Sequence, residues 1–113
     1  MFEWLTGFKA VSPARLHQLM QDGPVTAIDV NSRQSWLEAH VPGATNLDPA
    51  GYDEKSLPED KDSFLVFYCS NQLCRKAPNA ARRAKKMGYR NVHVMSAGIS
   101  GWLSAKLPTE AGA

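Results

Sequence analysis

Apolar residues fall along this chain in short runs, divided by polar, turn-forming segments. Val25 to Val30 and Phe64 to Tyr68 are mainly apolar stretches too short for stable helices. Such runs mark strands covered on both faces, as in a parallel sheet. Asn91 to Met95 reads as another strand, and Ala44 to Leu47 as a briefer one. Helical patterns lie between them. Ser12-Pro13 opens the first, because serine is favoured at the N-cap and proline at the first helical position. Leu16, Leu19 and Met20 give it an apolar stripe, and Asp22-Gly23 ends it. Asn31-Ser32 leads into a short helix around Gln34 to Ala39, Pro42-Gly43 makes a turn, and Pro49 to Asp62 is a polar, acidic loop. A basic helix runs from about Arg75 to Met87 and stops at Gly88; its Pro78 lies in the first turn, where a missing N–H costs little. Gly98 to Ala105 forms a last short helix with Trp102 turned inward. The residues from Pro108 to Ala113 are expected to fray. Alternating strands and helices of these lengths predict an α/β domain, with a mainly parallel central sheet and helices on both faces.

One junction carries candidate chemistry. The strand Phe64 to Tyr68 runs into Cys69, then Ser70-Asn71-Gln72-Leu73-Cys74-Arg75, and then the basic helix. In open α/β sheets ligands collect at the carboxyl ends of strands. The first N–H groups of a helix lack intrahelical partners and stabilise an anion. A thiol placed there is expected to ionise below its ordinary value near 8.5, which makes Cys69 the candidate nucleophile.

Composition narrows the possibilities. The 113 residues, 43% apolar and 21% charged, suit one soluble domain with a real core. A net charge of +2 is too weak to argue for nucleic acid, and the bases of Arg82 to Lys86 read as a solvated helix face. No stretch approaches the roughly 20 apolar residues of a membrane span. Met1 to Leu5 lacks the features of a secretory signal. Two cysteines do not make a disulfide scaffold, so the cytoplasm is the expected compartment and a monomer the expected state. Neither a cofactor nor a metal is expected, because Cys69, Cys74, His17, His40 and His93 offer no ligand spacing.

Four segments, in order, resemble the rhodanese-like domain family over about Phe8 to Leu107. They are Ile28-Asp29-Val30; Glu38 to Asn46; Tyr68-Cys69 with its basic helix and Gly88-Tyr89; and Gly98-Ile99-Ser100-Gly101-Trp102. The resemblance implies a sulfurtransferase. A sulfane sulfur would pass from a small anionic donor such as thiosulfate, through a persulfide on Cys69, to a thiol or cyanide-like acceptor or an acceptor protein. It assigns the loop Ser70, Asn71, Gln72, Leu73, Cys74 and Arg75 as the cradle for substrate.

Two departures keep other readings open. Asn31 stands where the family's first signature usually continues with arginine. The Cys-x5-Arg interval is that of the longer loop in the phosphatase and arsenate reductase branches, although those usually carry histidine before the cysteine and this chain has Tyr68. The loop could close at Cys74 or at Arg75. Such domains also serve as non-catalytic binding or regulatory modules. Cys74 is either a resolving thiol or a small residue packed at the helix start. His40 is expected to shape a turn, Asp29 to hold neighbouring loops by hydrogen bonds, and Trp36 and Trp102 to anchor the core.

Overall fold

The computed structural model describes residues 9–113; Phe8, the expected start of the domain, and the segment Met1 to Leu5 lie outside the described residues. Strands β1 (Lys9–Ala10), β2 (Thr26–Asp29), β3 (Thr45–Asn46), β4 (Leu65–Tyr68) and β5 (Val92–Val94) form one sheet in the order β1-β5-β4-β2-β3. Every pairing in it is parallel. Helices α1 (Pro13–Asp22), α2 (Arg33–Glu38), α3 (Lys76–Lys86) and α4 (Gly98–Ser104) lie between and after the strands.

Alternation along the strands divides the core into two layers. Ile28, Leu65 and Phe67 turn to one face, against an alanine stripe of α3 made by Ala77, Ala80, Ala81 and Ala84. These small side chains let the helix lie close to the sheet. Ala27, Val66 and Tyr68 turn to the other face, against Leu16 of α1 and Trp102 of α4. β4, with all four residues buried, contributes two residues to each layer. Burying a side chain the size of Phe67 stabilises the fold by about 1.5–3 kcal/mol.

The caps form where the sequence places them. Ser12 Oγ accepts the Arg15 N–H at 3.1 Å, and Ser32 Oγ accepts the Ser35 N–H at 3.2 Å. Gly88, at φ +98°, takes the left-handed turn that ends α3. The pattern did not reveal β1, a pair of exposed residues defined only by its pairing with β5. Nor did it reveal the 3-10 turn Glu54–Ser56 inside the acidic loop, from which Tyr52 and Leu57 enter the core.

The expectation that Pro108 to Ala113 would fray is corrected by the structure. His40 and Glu110 exchange backbone hydrogen bonds of 2.9 Å in both directions, and the Gly112 N–H donates to the Leu37 carbonyl at 2.8 Å. The Glu110 carboxylate accepts the Gly43 N–H at 2.8 Å, and Trp102 Nε1 donates to the Pro108 carbonyl at 2.7 Å. No apolar pattern marks the segment because its anchors are main-chain groups and the Glu110 carboxylate. Ending the chain after Pro108 removes four of these hydrogen bonds and should lower stability by about 2–6 kcal/mol, at roughly 0.5–1.5 kcal/mol each. Urea denaturation checks this, and an unchanged midpoint would mean that the tail contributes nothing.

Candidate active site

Cys69 follows β4 directly and is 3% exposed, on the face of the sheet covered by α3. Its position is fixed from both sides. The backbone N–H groups of Ala77, in the first turn of α3, and of Ser70 point to its sulfur. From the other side, the Ile99 N–H donates to the Cys69 carbonyl at 2.9 Å and the Ser100 N–H to the Ser70 carbonyl at 3.0 Å. That approach requires Gly98. At φ +64°, a Cβ on residue 98 would lie 2.6 Å from the Cys69 carbonyl oxygen and 2.6 Å from the Ser70 carbonyl carbon.

The electrostatics differ from the sequence expectation. Burial pushes the Cys69 thiol up to about 11, and its hydrogen bond with Cys74 adds to the rise. The helix-start N–H of Ala77 does act in the expected direction, but more weakly than desolvation. Cys74 is half-buried and packs against the same core cluster. Burial raises its pKa too, but the hydrogen bond from Cys69 and the Lys76 and Ser70 N–H groups outweigh it, and the Cys74 thiol lies below its ordinary value. Of the two thiols, Cys74 is therefore the more readily ionised.

The cradle residues divide by environment. Ser70 Oγ donates to Asn31 Oδ1 at 2.8 Å. Asn71 organises the turn: its side-chain oxygen accepts the Leu73 N–H at 2.9 Å and its carbonyl accepts the Cys74 N–H at 3.2 Å. Leu73 is 87% exposed. Arg75 occupies the N-cap of α3, is exposed, and makes no capping bond through its side chain. Cys69, Asn71, Gln72, Cys74 and Arg75 line a common cavity of about 250 Å³ that is closed on the sheet side by Val94 and Met95.

Asn31, at the position where the family pattern usually has arginine, is a positioning residue that the sequence did not reveal. Besides holding Ser70, it accepts the Asn46 side-chain amide through its carbonyl at 2.9 Å. Asp29 Oδ1 accepts the Asn31 N–H at 2.8 Å, and the Asn46 amide also reaches the Asp29 carbonyl at 3.0 Å. Burial holds the Asp29 carboxyl above its usual range. His40 is engaged elsewhere, stacked on Trp36 with ring centroids 4.6 Å apart and with Nδ1 2.7 Å from the Trp36 carbonyl. Trp102 is fully buried, whereas Trp36 is only half-buried and donates to the Ala44 carbonyl at 2.9 Å. Among the described residues, no group of three or more His, Cys, Asp and Glu side chains could hold a metal.

Comparison with known proteins identifies the family. Residues 12–105 match the family described as "Rhodanese-like domain". The chain is 33% identical over 104 residues to the HTH-type transcriptional regulator Rv0324 of Mycobacterium tuberculosis, covering 92% of itself but only 46% of that protein. It is 27% identical over 103 residues to thiosulfate sulfurtransferase GlpE of Haemophilus influenzae, covering 91% of itself and 95% of that protein. The BH2092 protein from Bacillus halodurans shares the fold at a TM-score of 0.83 and 23% identity, over 91% of this chain and 77% of that one.

The pairing of the two thiols has a measurable signature. In the wild type, iodoacetamide should modify Cys74 at lower pH than Cys69. Cys74→Ser should move the Cys69 midpoint down, because it removes the partner that adds to the effect of burial. Cys69→Ser should move the Cys74 midpoint up. Midpoints that stay put in both variants would mean that the sulfurs titrate independently.

Gly98→Ala should cost about 2 kcal/mol or more, from a backbone term of roughly 1–2 kcal/mol plus the clash with the loop. Gly88→Ala, also at positive φ but with nothing within 4 Å of the added Cβ, should cost only the backbone term. Equal losses in urea denaturation would show that the approach of α4 to Cys69 is not tight.

Proposed function

Since this chain belongs to the rhodanese-like domain family, we propose that it is a sulfurtransferase that carries sulfane sulfur on Cys69. The observation that carries this reading is the small cavity at the end of the central strand, where the Cys69 sulfur meets the Ala77 N–H and pairs with the Cys74 thiol. The resemblance to the GlpE sulfurtransferase over nearly its whole length supports it.

The chemistry follows from the pair. Transfer of the Cys69 proton to the Cys74 thiolate leaves a thiolate on Cys69. That thiolate attacks the outer sulfur of thiosulfate; the new S–S bond forms as the old one breaks, and sulfite leaves with the bonding electrons. The persulfide left on Cys69 has an anionic terminal sulfur, which the loop amides and the α3 N-terminus stabilise. An acceptor thiolate or cyanide attacks that terminal sulfur and returns the Cys69 thiolate. No general acid is needed, because sulfite is a stable leaving anion.

Arg75 on the cavity wall supplies a positive charge for the donor anion. Its exposure fits a recruiting charge better than the enclosed guanidinium fork that oxyanion chemistry requires. Phosphatase and arsenate reductase activities are accordingly the second choice.

Sulfite release from thiosulfate, measured beside phosphate-ester hydrolysis and arsenate reduction, tests the proposal. Thiosulfate turnover is expected, and Cys69→Ser should abolish it. Arg75→Ala should raise the thiosulfate KM roughly two- to fivefold, the range for an exposed charge pair, with kcat little changed. Phosphatase activity that depends on Cys69, with no sulfite released at any donor concentration, would replace the sulfurtransferase reading. No turnover with any of these substrates would leave the binding-module reading in its place.

A further inference from the structure

The Cys69 and Cys74 thiols line one cavity and hydrogen-bond to each other, while Cys69 itself is almost wholly shielded. This arrangement separates the two sulfurs of a persulfide. The outer sulfur projects into the cavity, where a soluble acceptor can reach it. The inner sulfur stays at the 3%-exposed position of Cys69, beneath α3. Once the cavity side of Cys69 carries the outer sulfur, that atom stands between a nucleophile from solution and the inner sulfur, whereas Cys74 lines the same cavity beside it.

We propose that Cys74 is a resolving thiol that attacks the inner sulfur of the Cys69 persulfide, closes a Cys69–Cys74 disulfide and releases the carried sulfur as hydrosulfide. The inference rests on the sulfurtransferase reading for its physiological donor, but the step itself needs only a persulfide on Cys69. The Cys74 proton moves to the terminal sulfur of the persulfide. The Cys74 thiolate then forms a bond to Cys69 Sγ, and the S–S bond of the persulfide breaks with its electron pair leaving on hydrosulfide. The sulfane sulfur is reduced to hydrosulfide, the two thiols are oxidised to a disulfide, and no other reactant enters. A soluble dithiol reductant then reopens the disulfide and restores both thiols.

Two physical arguments favour attack on the inner sulfur. Contact between the groups replaces a bimolecular encounter with an intramolecular one. Thiol–disulfide exchange also favours the more acidic leaving group. Hydrosulfide is more acidic than Cys69, whose thiol burial holds high, so its expulsion is favoured over return of the Cys69 thiolate. The chain would therefore deliver sulfur in two forms: as sulfane sulfur when an acceptor captures the outer atom, and as hydrosulfide when Cys74 acts first.

Inorganic tetrasulfide provides the test, because it persulfidates thiols without requiring sulfurtransferase activity. The reduced chain is loaded anaerobically, freed of excess reagent, and followed by intact mass, peptide mapping and bimane capture of hydrosulfide. The wild type should lose the added sulfur, end two hydrogens lighter than the reduced chain, and show a Cys69–Cys74 disulfide. Cys74→Ser and Cys74→Ala should both keep the added sulfur, with hydrosulfide release slower by on the order of a hundredfold. A wild type that keeps its persulfide as long as the variants, or forms disulfides only between chains, would overturn the proposal. A parallel loading with thiosulfate separates the two readings. Failure there, with resolution after tetrasulfide intact, would sink the sulfurtransferase assignment alone; sulfite release without disulfide formation would sink the resolving role alone.

Discussion

The contact between Gly98 and the backbone of Cys69 and Ser70 is the constraint on which the site depends. Two N–H groups of α4 take up the carbonyls of the residues that leave the central strand, at 2.9 and 3.0 Å. A side chain at position 98 would occupy the space those carbonyls need. With the main chain held on that side, the Cys69 side chain is directed beneath α3. The same contact brings Trp102, one turn along α4, into the core against Leu16 and Tyr68. One small residue thus joins the sheet, the last helix and the position of Cys69 into a single unit.

The thiol pair shows how local and tertiary effects compete. A helix N-terminus stabilises an anion by roughly 0.3–1 kcal/mol, whereas removing a charged group from water can cost several times as much. At Cys69 the second effect wins. The thiol whose ionisation the surroundings favour is instead Cys74, which has partial access to solvent and several donors. The ease of ionisation expected of this junction is therefore found at the neighbouring sulfur.

Much of this architecture was legible because the governing signals are local. Continuous apolar runs marked β2 and β4, Ser12 and Ser32 marked helix starts, and Gly88 marked a helix end. The elements that escaped are those fixed by partners distant in sequence. β1 is an exposed pair recognised only through β5, and the C-terminal segment is tied to Leu37 and His40 by main-chain groups that leave no trace in side-chain pattern. At the site, the strand-to-helix junction pointed to Cys69 from sequence alone. The depth of its burial did not follow from local pattern, because α3 covers it through alanines that only the tertiary structure brings over the sheet. Asn31 escaped for a related reason. Its bond to Ser70 spans 39 positions of the chain and replaces the ion pair that a more typical arginine would suggest.

The strand order has a consequence for how the domain acquires its structure. Since every neighbour is parallel, no strand can pair through a tight hairpin, and each contact waits for a crossover to close. β5 occupies the place between β1 and β4, so the chain's earliest described strand has no partner until nearly the whole sequence is available. Closing so long a loop is entropically expensive, and folds dominated by such pairings form slowly. During synthesis, Val66, Phe67 and Tyr68 emerge before β5 can cover one flank of β4. That exposed edge of apolar strand is the interval in which the nascent domain is most open to mispairing with another chain.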